Sequence, residues 1–280
     1  MAGAASDNTP LGDRMKQWET VETSRKAMRG LPLLARLDGR SFHNYTRGLD
    51  RPYDVRLSEC MLLTMQYLVK ETNALTGYVQ SDEISLLWDV DVNSESQFMF
   101  DGKFQKLVSV LAGMASAKFA RCASKFLPEK DELLPVFDCR VWQVPTRAEA
   151  ANAFLWRELD ATKNAISMAA FSMFSPNELH GKNGAEKQEM MFSKFGVNFN
   201  DYPSFFKRGV YAKRVQVIRE AEVLLSKHDL IPDTDGKYWV TRNAVQSLDL
   251  PRATQIANYE ELLFMKVIES EPCYILKGVV

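Results

Sequence analysis

The sequence predicts an α+β protein: an antiparallel sheet of β-α-β-β-α-β order, the ferredoxin-like split βαβ arrangement, followed by a C-terminal extension that is mostly helical. Three observations predict it. Short apolar or alternating runs end at polar turns near residues 33–39, 77–88 and 137–144. Two intervening stretches carry the 3.6-residue period of amphipathic helices, and from residue 146 onward helix-capping patterns replace alternation.

Leu33-Leu34-Ala35-Arg36-Leu37 breaks off at Asp38-Gly39, the pattern of a buried strand that delivers an acid to its C-terminal edge. After Arg51-Pro52, apolar residues recur at Leu57, Met61, Met65 and Leu68, one face of a helix that stops before Gly77. Gly77-Tyr78-Val79 and the alternating Ile84, Leu86 and Trp88 flank the polar turn Gln80-Ser81-Asp82-Glu83, so this segment is a hairpin. Between Lys103 and Phe126, helical periodicity returns at Phe104, Leu107, Leu111, Met114 and Lys118, among small residues that permit close packing. Phe137 to Val144 alternates and stops at Pro145. Thr146-x-x-Glu149 is a capping box that opens a long helix through Met173, and Ser175-Pro176-x-Glu178 is a second. After Gln216 the element types are not assigned, and no internal repeat or low-complexity segment occurs.

The chain has 280 residues, 46% apolar and 25% charged, the composition of an ordinary globular protein rather than a disordered, collagenous or disulfide-framework one. With 35 Lys and Arg against 36 Asp and Glu, the net charge is −1, so a polyanion partner needs a local basic patch. Cys60, Cys122, Cys139 and Cys273 are far apart, without a Cys-x-x-Cys pair, which fits reduced core thiols in a cytosolic protein. The first 13 residues lack the pattern of a signal or transit peptide and read as a polar arm; no run of 18 apolar residues is present, so no membrane partner is expected. His43, His180 and His228 have no metal-ligand spacing.

The acids carry the chemical argument. In a split βαβ sheet the third strand lies beside the first and antiparallel to it, which brings Asp38 and Asp82-Glu83 together. Turn chemistry alone accounts for each pair taken singly. Carboxylates converging on one sheet edge repel unless a cation neutralises them, and hard oxygen ligands suit magnesium bound to a phosphate substrate. Two such ions can activate an attacking hydroxyl and stabilise a leaving pyrophosphate. Gly39, without a side chain, would let a phosphate or metal approach the backbone. Lys103 and Lys106 share a helical face and could hold a triphosphate, or form a solvated surface pair. Lys182, Lys187, Lys194, Lys207, Arg208, Lys213 and Arg214 are interleaved with Phe192, Phe195, Phe199, Tyr202, Phe205 and Phe206. That is the composition of a nucleic-acid surface, and equally of an ordinary core with a charged exterior.

Arg36-Leu37-Asp38-Gly39-Arg40-Ser41-Phe42-His43, Gly77-Tyr78-Val79-Gln80-Ser81-Asp82-Glu83 and Phe137-Asp138-Cys139-Arg140-Val141 closely resemble motifs of the tRNA(His) guanylyltransferase family, including its Thg1-like members. The match continues through Trp156-Arg157, His180-Gly181-Lys182-Asn183, the run from Glu186 to Phe192, and Lys207-Arg208-Gly209. The resemblance implies a polymerase-type palm over residues 1–145 and a C-terminal domain, 146–280, that completes the tRNA and nucleotide site. It implies a homotetrameric, cytoplasmic 3′-to-5′ nucleotidyltransferase that uses ATP, GTP or another nucleoside triphosphate and two magnesium ions to extend the 5′ end of tRNA through a 5′-adenylylated intermediate.

By that resemblance Asp38, Asp82 and Glu83 are catalytic, and Asp38, Gly39 and Asp82 hold metal. Arg36, Arg40, Ser41, Phe42, His43, Arg51, Ser81, Lys103, Lys106 and Arg140 bind nucleotides, and Asp160, Asn164, Lys182, Lys187, Asn198, Lys207 and Arg208 face tRNA. Thr162-Lys163-Asn164-Ala165 stands where eukaryotic members carry a His-Ile-Asn-Asn run linked to anticodon recognition; Cys139 stands for a frequent Gly and Lys103 for a frequent Arg. Two rivals use a similar sheet. A palm-type nucleotide cyclase also pairs acids, and a non-catalytic RNA-recognition module shares the strand order, although Ile84-Ser85-Leu86-Leu87-Trp88 lacks that module's basic-Gly-aromatic pattern.

Overall fold

A computed structural model describes residues 10–93, 95–220, 230–232, 238–268 and 273–277. The first nine residues and His228 lie outside the described residues. The chain runs through α1 (Leu11–Thr23), β1 (Leu33–Gly39), α2 (Phe42–Tyr45), α3 (Val55–Thr72), β2 (Thr76–Gln80), β3 (Glu83–Trp88), α4 (Phe104–Phe126) and β4 (Phe137–Gln143). There follow α5 (Arg147–Phe171), α6 (Pro176–Leu179), α7 (Gly184–Phe195), α8 (Ser204–Arg208), β5 (Val210–Glu220), β6 (Leu230–Pro232), β7 (Tyr238–Leu248) and α9 (Tyr259–Phe264).

The strands form one antiparallel sheet of order β4-β1-β3-β2-β5-β7-β6, whose first four members are the predicted split βαβ sheet. β5 pairs with β2, so the C-terminal half adds strands to the same sheet besides its helices. The 145/146 boundary expected from the sequence falls in the link between β4 and α5. The polar arm expected up to Asp13 gives way to α1 from Leu11 onward, with Asp13 in its first turn, where a carboxylate complements the helix N-terminus.

Side chains alternate across the strands, so each face has its own cover. Leu33, Ala35, Leu37, Val79, Ile84 and Leu86 turn to α3 and α4 and pack against Met61, Met65, Leu68, Leu107, Leu111 and Phe119. Each fully buried large side chain contributes roughly 1.5–3 kcal/mol. On the other face Leu34, Tyr78 and Leu87 meet Ala150 and Phe154 of α5. Asp54 starts α3 by accepting a bond from the Arg56 amide at 2.9 Å, and Thr146 starts α5 by accepting one from the Glu149 amide at 3.1 Å. Strand directions set one end of the sheet apart: β1 finishes at Asp38-Gly39, β3 begins at Glu83, and β4 begins at Phe137 opposite Gly39. α5 spans the sheet from Arg147, bonded to Asp89 at 2.7 Å beyond the far end of β3, to the acidic end.

Candidate active site

Asp38 pairs in register with Glu83, and Gln80 also pairs with Glu83 across the hairpin, leaving Ser81-Asp82 as a two-residue turn beside the end of β1. The Gly39 amide donates to the Asp82 carbonyl at 3.0 Å and ties the two acid-bearing segments together. Ser41 and Ser81, beside these acids, both adopt left-handed backbone, with φ of 56° and 48°. Such conformations cost energy outside glycine and concentrate at functional sites. Burial pushes the Asp82 carboxyl up from its ordinary range, the Asp38 charge adds to this, and a Ser81 hydrogen bond and the nearby His43 offset part of it. The donor set is two facing carboxylates and backbone carbonyls. No group of three or more His, Cys, Asp and Glu able to hold a metal occurs among the described residues. Carboxylate and carbonyl oxygens are the donor type that a hard cation takes.

Glu83 is engaged elsewhere. Arg157 of α5 donates to both its oxygens, at 2.6 and 2.7 Å, and Arg36 Nε lies 3.9 Å away. Burial raises the Glu83 carboxyl and the two guanidiniums pull it back; burial works against the Arg157 charge, and Glu83 outweighs that. Arg157 also donates to Asp160 at 3.2 Å, and Asn164 donates to the same carboxylate at 3.3 Å. The bidentate, largely buried pair is a strut that fixes the start of β3 against α5.

A cleft of about 460 Å³ opens at this end, lined by His43, Arg51, Tyr53, Ser81 and Asp82 on one side and by Met168 and Phe171 of α5 on the other. His43, Arg51, Arg40 and Ser41 are exposed. Phe42 is buried, stacked at 5.1 Å on Tyr45 and packed against Phe119 and Phe137. Its ring lies 2.4 Å from where a Cβ on Gly39 would sit. Gly39 therefore makes room for Phe42, a packing role that the sequence reading did not include.

The structure does not bring every expected residue here. α4 begins at the far end, where Lys103 bridges to Lys26, and Lys106 stands 13 residues before Phe119 of the acidic end, about 20 Å along the helix. Within one chain Lys103 and Lys106 do not reach the acids. Arg140 does share the α5 face, opposite Arg36. So does Asp138, opposite Asp38, with Arg140 3.7 Å from its carboxylate. Sequence reasoning passed over this fourth acid, although the alternation of Phe137 and Asp138 already put it on that face.

The basic, aromatic stretch divides. Lys213 is buried and donates to the Leu75 and Leu263 carbonyls and to Thr76, burial pulling it down to about 7. Arg208 bonds the Leu250 carbonyl at 3.0 Å, Lys207 the Asn200 carbonyl, and Arg214 Asn73. These are internal ties. Gly209, at φ 78°, would bring a Cβ within 2.5 Å of the Val79 carbonyl, so only glycine fits. Asn198 caps the turn at Phe199, and Lys182 pairs with Glu186 at 3.3 Å. Lys187 donates to Ser167 and lies 5.7 Å from the Phe171 ring, at the edge of the cleft, while Phe192 and Phe195 of α7 face solvent.

A family model described as tRNAHis guanylyltransferase matches residues 12–145, and one described as the Thg1 C terminal domain matches residues 148–249. The chain belongs to the tRNA(His) guanylyltransferase (Thg1) family. It is accordingly a nucleotidyltransferase. The tRNA(His) guanylyltransferase of Schizosaccharomyces pombe is 29% identical over 209 residues, 69% of this chain and 78% of that protein. An uncharacterised protein of Acanthamoeba polyphaga mimivirus is 28% identical over 77% of this chain and 80% of its own. A bacterial Thg1-like protein solved in complex with ATP superposes with a TM-score of 0.75 at 32% identity, over 91% of this chain and all of that one. Its complex with GTP superposes with a TM-score of 0.69. The Thr162 hydroxyl donates to the Glu158 carbonyl at 3.1 Å, and a threonine offers no ring to stack on a base.

Proposed function

We propose that this chain adds nucleotides in the 3′-to-5′ direction to the 5′ end of tRNA, selecting each nucleotide by pairing with the opposite strand. The observation that carries the reading is the register that sets Asp38 beside the Ser81-Asp82 turn, with Asp82 lining the 460 Å³ cleft and its carboxyl raised by burial and then by the Asp38 charge. The Thg1 family match and the ATP and GTP complexes of a similar bacterial protein support it.

Asp38, Asp82 and the Gly39 carbonyl would hold two magnesium ions, which supply charge neutralisation of phosphates and activation of the attacking oxygen. Exposed His43 and Arg51 orient a triphosphate along the cleft, with Ser81 beside them. A 5′-phosphate oxygen of the tRNA attacks the α-phosphorus of ATP and pyrophosphate leaves. The 3′-hydroxyl of the incoming nucleoside triphosphate then attacks the activated 5′-phosphorus, AMP leaves, and the new end bears a triphosphate. Glu83, held by Arg157, keeps the turn that presents Asp82 in place. The family's tetrameric assembly and a cytoplasmic setting belong to the same reading.

Incubation with labelled GTP and RNAs of defined 5′ end tests it. An RNA with a 5′-triphosphate should be extended without ATP, and a 5′-monophosphate RNA should require ATP. Equal ATP dependence for both would remove the adenylylation step, and a cyclic nucleotide formed without RNA would identify a cyclase instead.

A further inference from the structure

The reaction above leaves unused a second cleft, of about 480 Å³, between the edge strand β4 and α5. Arg36, Arg140 and Trp142 line it from the sheet, and Glu149, Asn152 and Trp156 from the helix. Trp156 is 55% exposed, with the Arg36 guanidinium 5.6 Å from its ring centroid. A large ring left in water inside a concavity, beside two guanidiniums, is a costly arrangement that burial against a flat apolar ligand would relieve.

The position of this cleft on the sheet narrows the ligand. Arg36 and Asp38 lie on the same face of β1, two residues apart, and Arg140 and Asp138 do so on β4. Two residues of strand span about 7 Å, so Arg36 and Arg140 lie one nucleotide's reach along the sheet from Asp38 and Asp138. Phosphate charge suits the guanidiniums and indole faces stack nucleobases, while Asn152 donates to Glu149 at 3.1 Å and the pair forms a polar rim to the cleft.

We propose that this cleft takes one unpaired nucleotide, its base against Trp156 and Trp142 and its phosphate on Arg36 and Arg140. The assignment rests on the reading of RNA as the acceptor and deepens it: a nucleotide of the RNA strand next to the reacting end is held here, while the end itself lies at Asp38 and Asp82.

The test measures binding of the full chain to a fluorescent single-stranded tetraribonucleotide with a 5′-phosphate, to the same strand with abasic residues, and to GMP as competitor. Trp142→Ala and Trp156→Ala should each weaken the base-bearing strand about tenfold, a typical loss for one stacked base, and leave the abasic strand unchanged. Trp156→Phe should restore affinity to within about threefold, since a smaller ring still stacks. Trp142 also packs against the core beneath α5 and Trp156 lies 4.7 Å from Arg157, so unchanged binding of the abasic strand is the fold control for both variants. GMP that competes weakly supports a strand nucleotide, and GMP that competes as well as the tetranucleotide supports a free one in the same cleft. Wild-type affinity in both alanine variants, or equal loss with the abasic strand, overturns the proposal. Intact RNA extension alongside that result would leave the proposed function standing, whereas Trp-dependent binding by a protein that extends no RNA would overturn the function and keep the cleft.

Discussion

Along β1, Leu33, Ala35 and Leu37 turn to α3 and α4 and are buried, whereas Arg36 and Asp38 turn to α5 among Glu83, Asp138, Arg140 and Arg157. The same strands thus build two unlike surfaces, one apolar and close-packed, the other charged and open at both its clefts. The apolar face gains stability from burying area without regard to direction, so volume matters more than identity. On the charged face each ionised group needs a partner of opposite sign or a polar ligand. Glu83 has its partner in Arg157, whereas the Asp38 charge repels Asp82 and Ser81 and His43 offset only part of that and of burial. A buried carboxylate beside a second one marks where a cation belongs.

Four experiments sharpen that contrast. Asp38→Asn and Asp82→Asn should each lower nucleotide addition by at least about a thousandfold, because either change removes charge that neutralises metal and phosphate. Turnover within tenfold of wild type in either variant breaks the assignment. Stability should move the other way. The folded pKa of Asp82 is raised above its unfolded value, so the native protein without metal is favoured while Asp82 is protonated, and that advantage is lost as pH rises through the folded pKa. Asp82→Asn should remove this dependence and melt at a higher temperature than wild type at pH 7, as calorimetry across pH 3–7 would register.

On the opposite face, Leu86→Ala should cost about 2–5 kcal/mol in denaturant unfolding, through lost burial and the cavity left beneath α3 and α4. Addition per folded molecule should stay within about twofold. A large fall in turnover at unchanged stability would mean that the two faces are not separable.

The smallest effect concerns RNA choice. With the Thr162 hydroxyl turned back to the Glu158 carbonyl, swapping anticodons between truncated tRNA(His) and another truncated tRNA should change rates less than tenfold. A rate that follows the anticodon more strongly than that would show identity reading by another residue.

The central sheet was legible because its signals are local: alternation in β1, β3 and β4 and helical period in α3 and α4; of the two expected capping boxes, Ser175 with Glu178 forms at α6, while at α5 Thr146 caps the helix and Glu149 turns to Asn152 instead. α1 was not, since its apolar residues Leu11, Met15 and Trp18 face solvent and leave no buried stripe to complete the pattern. The acids were legible from β1 and the hairpin through strand order, and Asp138 could have been read the same way. The fates of the basic residues were not. Lys187 at the cleft and Lys213 in the core look alike in sequence, and only the carbonyls around Lys213 separate them.

What the sequence determined by itself is which residues alternate, which recur with the helix period, and that two acidic turns close neighbouring strands, because backbone geometry dictates these over a few residues. The tertiary structure alone decided that Glu83 meets Arg157 across 74 residues, that β5 extends the sheet, and that α4 carries Lys103 and Lys106 away from the acids. Those outcomes depend on how distant segments pack, and a charge finds its partner only after the apolar faces have brought the strands and helices together.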